Sequence, residues 1–299
     1  LIPLMGNAYY TSVLIIIGLH AMVTVGLCLL IGYTGQVSLG HAAFYGLGAY
    51  ISAILSRTYH VNPWLAMFIA VVATTGFAFA IGFPIFRLRG NYLAMATLGL
   101  GLIVYILFRE MAFLTGGPSG LPGVPDLSVA GFAFSNDFRM YYLVWGFCLA
   151  VMLVSRSIVN SRMGRAMRAI HDSESASQSL GINATMVKVK VLALSAAYAA
   201  LAGSLFSYYL AFVSPQPFGF LFSVHLVVMA VIGGLASIWG AIFGAATVRV
   251  LTEVLHPFGD MDVVLFGLIL VVVMILSPQG VTRGLGDLWR RLTRRWAPN

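Results

Sequence analysis

Apolar runs long enough to cross a bilayer follow one another along almost the whole chain, and no water-soluble fold can bury them all. Only 9% of the 299 residues are charged and 60% are hydrophobic, against about a quarter charged in soluble domains. The runs are continuously apolar rather than alternating, so their backbone groups must be satisfied within helices, not across a barrel. The expected fold is all-α: a polytopic transmembrane helical bundle of about nine spans, forming a single integral-membrane domain over residues 1–299.

The spans are expected at Tyr10–Tyr33, Val37–Leu55, Pro63–Phe86, Tyr92–Leu114, Met140–Ile158 and Val189–Phe212. Two glycine-rich segments follow, Phe220–Ile232 and Ile238–Leu255, readable as short spans or as a re-entrant pair, and then Val263–Leu276. A Gly/Pro-rich loop runs from Gly116 to Gly131. Gly240 and Gly244 stand at the small-xxx-small spacing that lets membrane helices approach closely. The alternative is that helices break near Gly233, Gly234 and Gly240 to form a translocation path.

Lysines and arginines set the orientation. Arg87, Arg89, the stretch from Arg156 to Lys190 and the C-terminal tail together hold thirteen of the seventeen bases, which makes that side the cytoplasm. The opposite side holds six of the nine acids, among them Glu110, Asp126, Asp137, Asp260 and Asp262. This alternation requires both glycine-rich segments to cross. It leaves the N-terminus outside, as expected if one further span precedes Leu1. The net charge of +8 therefore reflects membrane lipid and orientation, not nucleic acid. The tail, residues 283–299, carries five arginines with Trp289 and Trp296, an interfacial anchor or a partner contact.

The one sizeable polar stretch is SRMGRAMRAIHDSESASQSLGINA, Ser161 to Ala184, the expected cytoplasmic loop. Met163, Met167 and Ile170 recur at helical spacing while Arg165, Arg168 and Asp172 share another face. Ser173 suits the N-cap of a second short helix, and Gly181 suits a left-handed helix stop. The pattern predicts a helix-turn-helix with one apolar and one charged side, a docking surface. A second polar group lies in GYTGQVSLGHAAFYGLGAY, Gly32 to Tyr50. There Gln36, Ser38 and His41 either line a path or bond helix backbone and fill an interhelical contact.

The remaining polar groups carry less. Cys28 and Cys148 are single cysteines in apolar runs and have no metal-ligand spacing. His20 and His225 read as packing histidines, and no metal site or cofactor is expected from His41 or His171. Arg249 and Glu253 stand one helical turn apart, as an ordinary interfacial pair or, alternatively, with a role in the path. No hydrolase elbow, zinc-protease motif or phosphate-cradling loop is present, so no catalytic residue is expected. The chain reads as a transporter subunit whose energy enters from elsewhere, with an ion-coupled secondary transporter of small neutral solutes as the alternative. Few ionisable residues within the spans favour the first reading.

Four stretches together resemble the permease subunits of high-affinity branched-chain amino acid ABC importers, nearest to the M-type (LivM-like) subunits. They are the Gly32–Tyr50 segment; TGGPSGLPGVP, Thr115 to Pro125; the polar insert; and IGGLASIWGAIFGA, Ile232 to Ala245. The resemblance implies a multi-pass protein of the bacterial inner membrane. Its partners would be a second related permease, two cytoplasmic ABC ATPase subunits and a periplasmic substrate-binding protein. The substrates implied are leucine, isoleucine and valine, or related small amino acids or amides. It also implies that residues 161–184 are the ATPase-coupling loop, assigning docking to Gly164, Arg165, Arg168, Asp172, Glu174, Ala176 and Gly181. One departure from the general importer pattern is that Ser175-Ala176-Ser177 occupies the register of Glu-Ala-Ala. Glu174 is thereby one residue out of place, whereas Gly181 keeps its position.

Overall fold

The computed structural model describes residues 8–129, 132–133, 136–255 and 267. The expected span Val263–Leu276, the tail 283–299 and the acids Asp260 and Asp262 lie outside the described residues, save Gly267 within the span. The helices run α1 (Ala8–Thr34), α2 (His41–Arg57), α3 (Pro63–Ile85), α4 (Asn91–Glu110), α5 (Ala112–Thr115), α6 (Asp137–Asn160), α7 (Arg162–Asp172), α8 (Glu174–Ser179), α9 (Ala184–Leu210), α10 (Phe220–Gly233) and α11 (Gly240–Leu255). Two antiparallel ladders of two-residue strands complete the set: β1 (Leu121–Pro122) with β4 (Phe212–Val213), and β2 (Ser128–Val129) with β3 (Phe132–Ala133). The all-α class is as expected.

Among the described residues, five helices are long and apolar enough to cross a membrane: α1, α3, α4, α6 and α9. Burial separates them into two kinds. The most apolar window is 83% buried in α1 and 78% in α9, but only 33%, 22% and 33% in α3, α4 and α6. Helices α1 and α9 therefore form the centre, while the other three turn most of their surface outward. At about 1.5 Å per residue, α2, α10 and α11 reach only about 21–26 Å, short of a hydrocarbon core of about 30 Å.

Helix α2 runs parallel to α9 along a seam of small residues. A Cβ on Gly203 would overlap the carbonyl oxygen of Tyr45, and one on Gly48 the carbonyl of Ala200. The hydroxyl of Ser204 donates to the Gly48 carbonyl at 3.0 Å, and Ser52 and Ser207 are hydrogen-bonded at 3.2 Å. Such close backbone approach replaces the hydrophobic drive that lipid cannot supply.

The start of α2 is displaced from the span expected at Val37. Its first residue, His41, meets Ser195, eleven residues beyond the start of α9 and thus about 16 Å along that helix. Gly26 of α1 packs against the same serine, whereas α1 continues eight residues further, to Thr34. The chain then returns through the non-helical residues 35–40, turning at Gly35 with φ +69°. Helix α2 thus begins well inside the bundle.

Candidate functional site

The polar insert folds as its sequence predicts. The Ser161 hydroxyl caps α7 by accepting from the Met163 amide at 3.1 Å, and Ser173 caps α8 by accepting from the Ala176 amide at 3.3 Å. Gly181 adopts φ +83° beyond α8, and Asn183 caps α9 by accepting from the Met186 amide at 3.0 Å. Met167 and Ile170 are buried, so the apolar stripe of α7 faces the bundle.

The seven residues assigned to docking divide between two environments. Arg165, Arg168, Asp172, Ala176 and Gly181 are exposed. Arg168 also donates to the Val159 carbonyl at 3.2 Å, holding α7 against the end of α6. Gly164 is buried, because a Cβ there would overlap the same carbonyl; it lets α7 fold back and presents no surface. Glu174 turns inward and pairs with Lys188 of α9 at 2.8 Å, its side chain 26% exposed and that of Lys188 2%. Leu180, just before the glycine stop, is 81% exposed. The sequence reading passed over both Lys188 and Leu180. A large apolar residue beside a left-handed glycine in an otherwise polar helix was the available signal for Leu180.

The second cluster is a girdle of hydroxyls and one imidazole around the start of α2. His41 uses both ring nitrogens, with Ser38 Oγ 3.0 Å from Nδ1 and Ser195 Oγ 2.6 Å from Nε2. The Leu39 amide donates to Thr97 Oγ1 of α4 at 3.0 Å, and the Ala42 amide donates to Ser223 Oγ of α10 at 3.1 Å. Three helices, α4, α9 and α10, are tied to one helix start by single side chains. Isolated serines and threonines in apolar runs carry no sequence signal of that meeting. Gln36 stands apart from the girdle, donating from Nε2 to the Thr34 carbonyl at 2.9 Å.

The glycines Gly233, Gly234 and Gly240 gather elsewhere. Cβ atoms on Gly233 and Gly240 would each overlap the other's backbone, and Gly234 turns the chain between α10 and α11 with φ +90°. This hairpin packs on the end of α1, where Gly32 lies against the Leu235 carbonyl and the Tyr33 hydroxyl donates to Ala236 at 2.8 Å.

On the insert side, a cavity of about 240 Å³ is lined by Gly35, Gln36, Val37, Arg89, Asn91 and Glu174. A crevice too narrow for water lies beside Ala42, Gly101, Gly219 and Ser223. Aromatic rings close the region around Phe218: Tyr50 stacks on Phe108 at 4.4 Å, and Tyr45 meets Phe218 at 5.6 Å.

At the far end of α11, Arg249 and Glu253 form an ion pair at 2.7 Å, and the Tyr9 hydroxyl donates to Glu253 at 2.6 Å. Among the described residues no group of three or more His, Cys, Asp or Glu side chains is placed to hold a metal.

A family model described as branched-chain amino acid transport system / permease component matches residues 9–278. The high-affinity branched-chain amino acid transport system permease protein LivM of Escherichia coli (strain K12) is 33% identical over 297 residues, covering 92% of this chain and 68% of its own length. The corresponding BraD protein of Pseudomonas aeruginosa is 28% identical, over 88% of this chain and 91% of its own. LivH of E. coli K12 is 26% identical, over 88% and 90%. No solved structure matches the chain.

Proposed function

The chain belongs to the branched-chain amino acid transport system permease family, and from that membership we propose that it forms, with a second related permease, the bilayer path of an ATP-driven importer for leucine, isoleucine and valine. It is a permease component, a transporter subunit of the membrane. The partner permease would be of the LivH kind, since relatives of both names match this sequence. Energy would come from two cytoplasmic ATPase subunits, and solute from a periplasmic binding protein.

The observation that carries the reading is the α7–α8 element. It hides its apolar stripe against the bundle yet leaves a cationic face and Leu180 uncovered. Exposed apolar side chains flanked by charge mark interaction sites. We assign docking of the ATPase to Arg165, Arg168, Asp172, Ala176, Leu180 and Gly181, with Gly164 supporting the fold-back and Glu174 facing inward. ATP binding closes the ATPase pair, the docked helices move with it, and α9 tilts. The path would run from the girdle at Ser38 and His41 to the cavity beside Gln36. Gly233, Gly234 and Gly240 pack its inner wall. In this reading α10 and α11 cross as short spans, and Val263–Leu276 completes nine crossings of the inner membrane.

The test is uptake of labelled leucine by the complex reconstituted with both permeases, the ATPases and a binding protein. Gly181→Pro should abolish uptake while leaving the protein in the membrane, because proline cannot adopt the φ of +83° found there. Competition by unlabelled isoleucine and valine, and none by urea or amides, is the expected selectivity. Wild-type uptake by the variant would remove the docking assignment.

A further inference from the structure

We infer that the Glu174–Lys188 ion pair is the strut that makes α8 and α9 move as one body, so that displacement of the docking element reaches the membrane path. The inference rests on the docking role proposed for α7–α8. Helix α8 is six residues long, far too short to be stable alone, and Ser175, Ala176, Gln178 and Ser179 are all exposed. Ser177 is its one buried side chain, and its hydroxyl bonds within α8 to the Glu174 carbonyl rather than to α9. Lys188, in contrast, lies on the second turn of the central helix α9 with its ammonium out of water. A buried ammonium is tolerated only when paired, and its pairing strengthens as the surroundings become less polar. Pulling α8 away from α9 would strand that charge, which makes the link stiff against the motion a docked partner imposes.

The geometry also gives the strut a place in the path. Glu174 lines the cavity shared with Gln36 and Arg89, so a shift of α8 with α9 reshapes the opening next to Gln36. The asymmetry of burial fixes which variant is informative. Glu174 is partly wet and survives loss of its partner, whereas Lys188 does not. Lys188→Met keeps the volume and removes the buried charge, so it breaks the link without a folding defect. Glu174→Gln leaves the ammonium unpaired and lowers the amount of folded protein.

The experiment measures leucine imported per ATP hydrolysed by the complete reconstituted complex. Lys188→Met should leave the ATPases co-purifying and their turnover within about twofold of wild type, while the import ratio falls about tenfold. The exchange Glu174→Lys with Lys188→Glu should recover most of that loss. A wild-type ratio in Lys188→Met overturns the proposal, as does a properly inserted exchange variant no better than Lys188→Met. If the exchange variant does not insert, nitroxide labels at the exposed positions Gln178 and Lys190 decide the matter. Their distance distribution should broaden in Lys188→Met, and an unchanged distribution overturns the strut. Failure of the docking proposal is seen separately, as ATPases that do not co-purify with the wild-type chain.

Discussion

The α2–α9 seam and the α7–α8 element are built from similar short stretches of glycine, alanine and serine, yet one is welded and the other is hung. Along the seam, glycines bring backbones into contact, and serine hydroxyls bond across or into the partner helix. In α7–α8 the glycines serve a fold-back and a helix stop, Ser161 and Ser173 are spent on caps, and no other serine there bonds beyond the element. Small residues shape a rigid wall when two helices share them and a movable handle when they punctuate one. An importer needs both: walls that keep their spacing and a handle that carries force.

The largest effect that tests this contrast is expected at the seam. Gly203→Val places branched carbon where the Tyr45 carbonyl already lies, and neither helix backbone can give way. The cost should be about 3 kcal/mol or more, read as loss of monodisperse protein after detergent extraction and thermal challenge. Wild-type thermal stability would show that the seam is loose. On the handle, Leu180→Asp should leave stability within about 0.5 kcal/mol, since the side chain touches little of its own chain. It should weaken ATPase docking by about 2 kcal/mol, the scale of an interface anchor, and uptake should fall with it. Intact co-purification of the ATPases and normal uptake would contradict the role given to Leu180.

A smaller effect is expected at the girdle. His41→Ala removes both ring contacts and leaves the Ser38 and Ser195 hydroxyls to find other partners. A loss of about 2 kcal/mol is expected, visible as a modest drop in thermal midpoint. Uptake should decline further than stability alone explains, because the start of α2 is no longer tied to α9. If uptake and stability fall in proportion, His41 is a packing residue and the girdle belongs with the seam.

What was readable in advance follows the same division. Caps and stops are local chemistry, so Ser173 and Gly181 were legible, and so was the amphipathic face of α7. Continuous apolar runs disclosed the five long apolar helices of the described residues because the bilayer imposes length. The depth at which α2 begins was not legible: the bend at residues 35–40 depends on contacts with Thr97, Ser195 and Ser223, which lie on three other helices. Lys188 drew no notice for a physical reason. A lysine at the polar end of a span ordinarily reaches water, and only the fold shows that this one turns to Glu174 instead. Gly164 and Glu174 were picked out by family pattern, yet both serve the interior of the loop.

The smallest perturbation bears on the handle's position and on nothing else. Ser175→Cys alters one exposed residue of α8 whose hydroxyl bonds only to the neighbouring Ser173. Activity should stay at the wild-type level, and the native Cys28 and Cys148 are buried, so a thiol reagent reports on position 175 alone. An impermeant reagent should label the variant in inside-out vesicles and not in intact cells, because Arg156, Arg162, Arg165, Arg168, Lys188 and Lys190 cluster in and around the insert. Docking of the ATPases should then protect the thiol, since Ser175 shares the exposed side of α8 with Ala176. Labelling from outside would invert the topology and separate the handle from any cytoplasmic source of force. Labelling from inside without protection would keep the topology but move the docking face from α8 toward the arginines of α7.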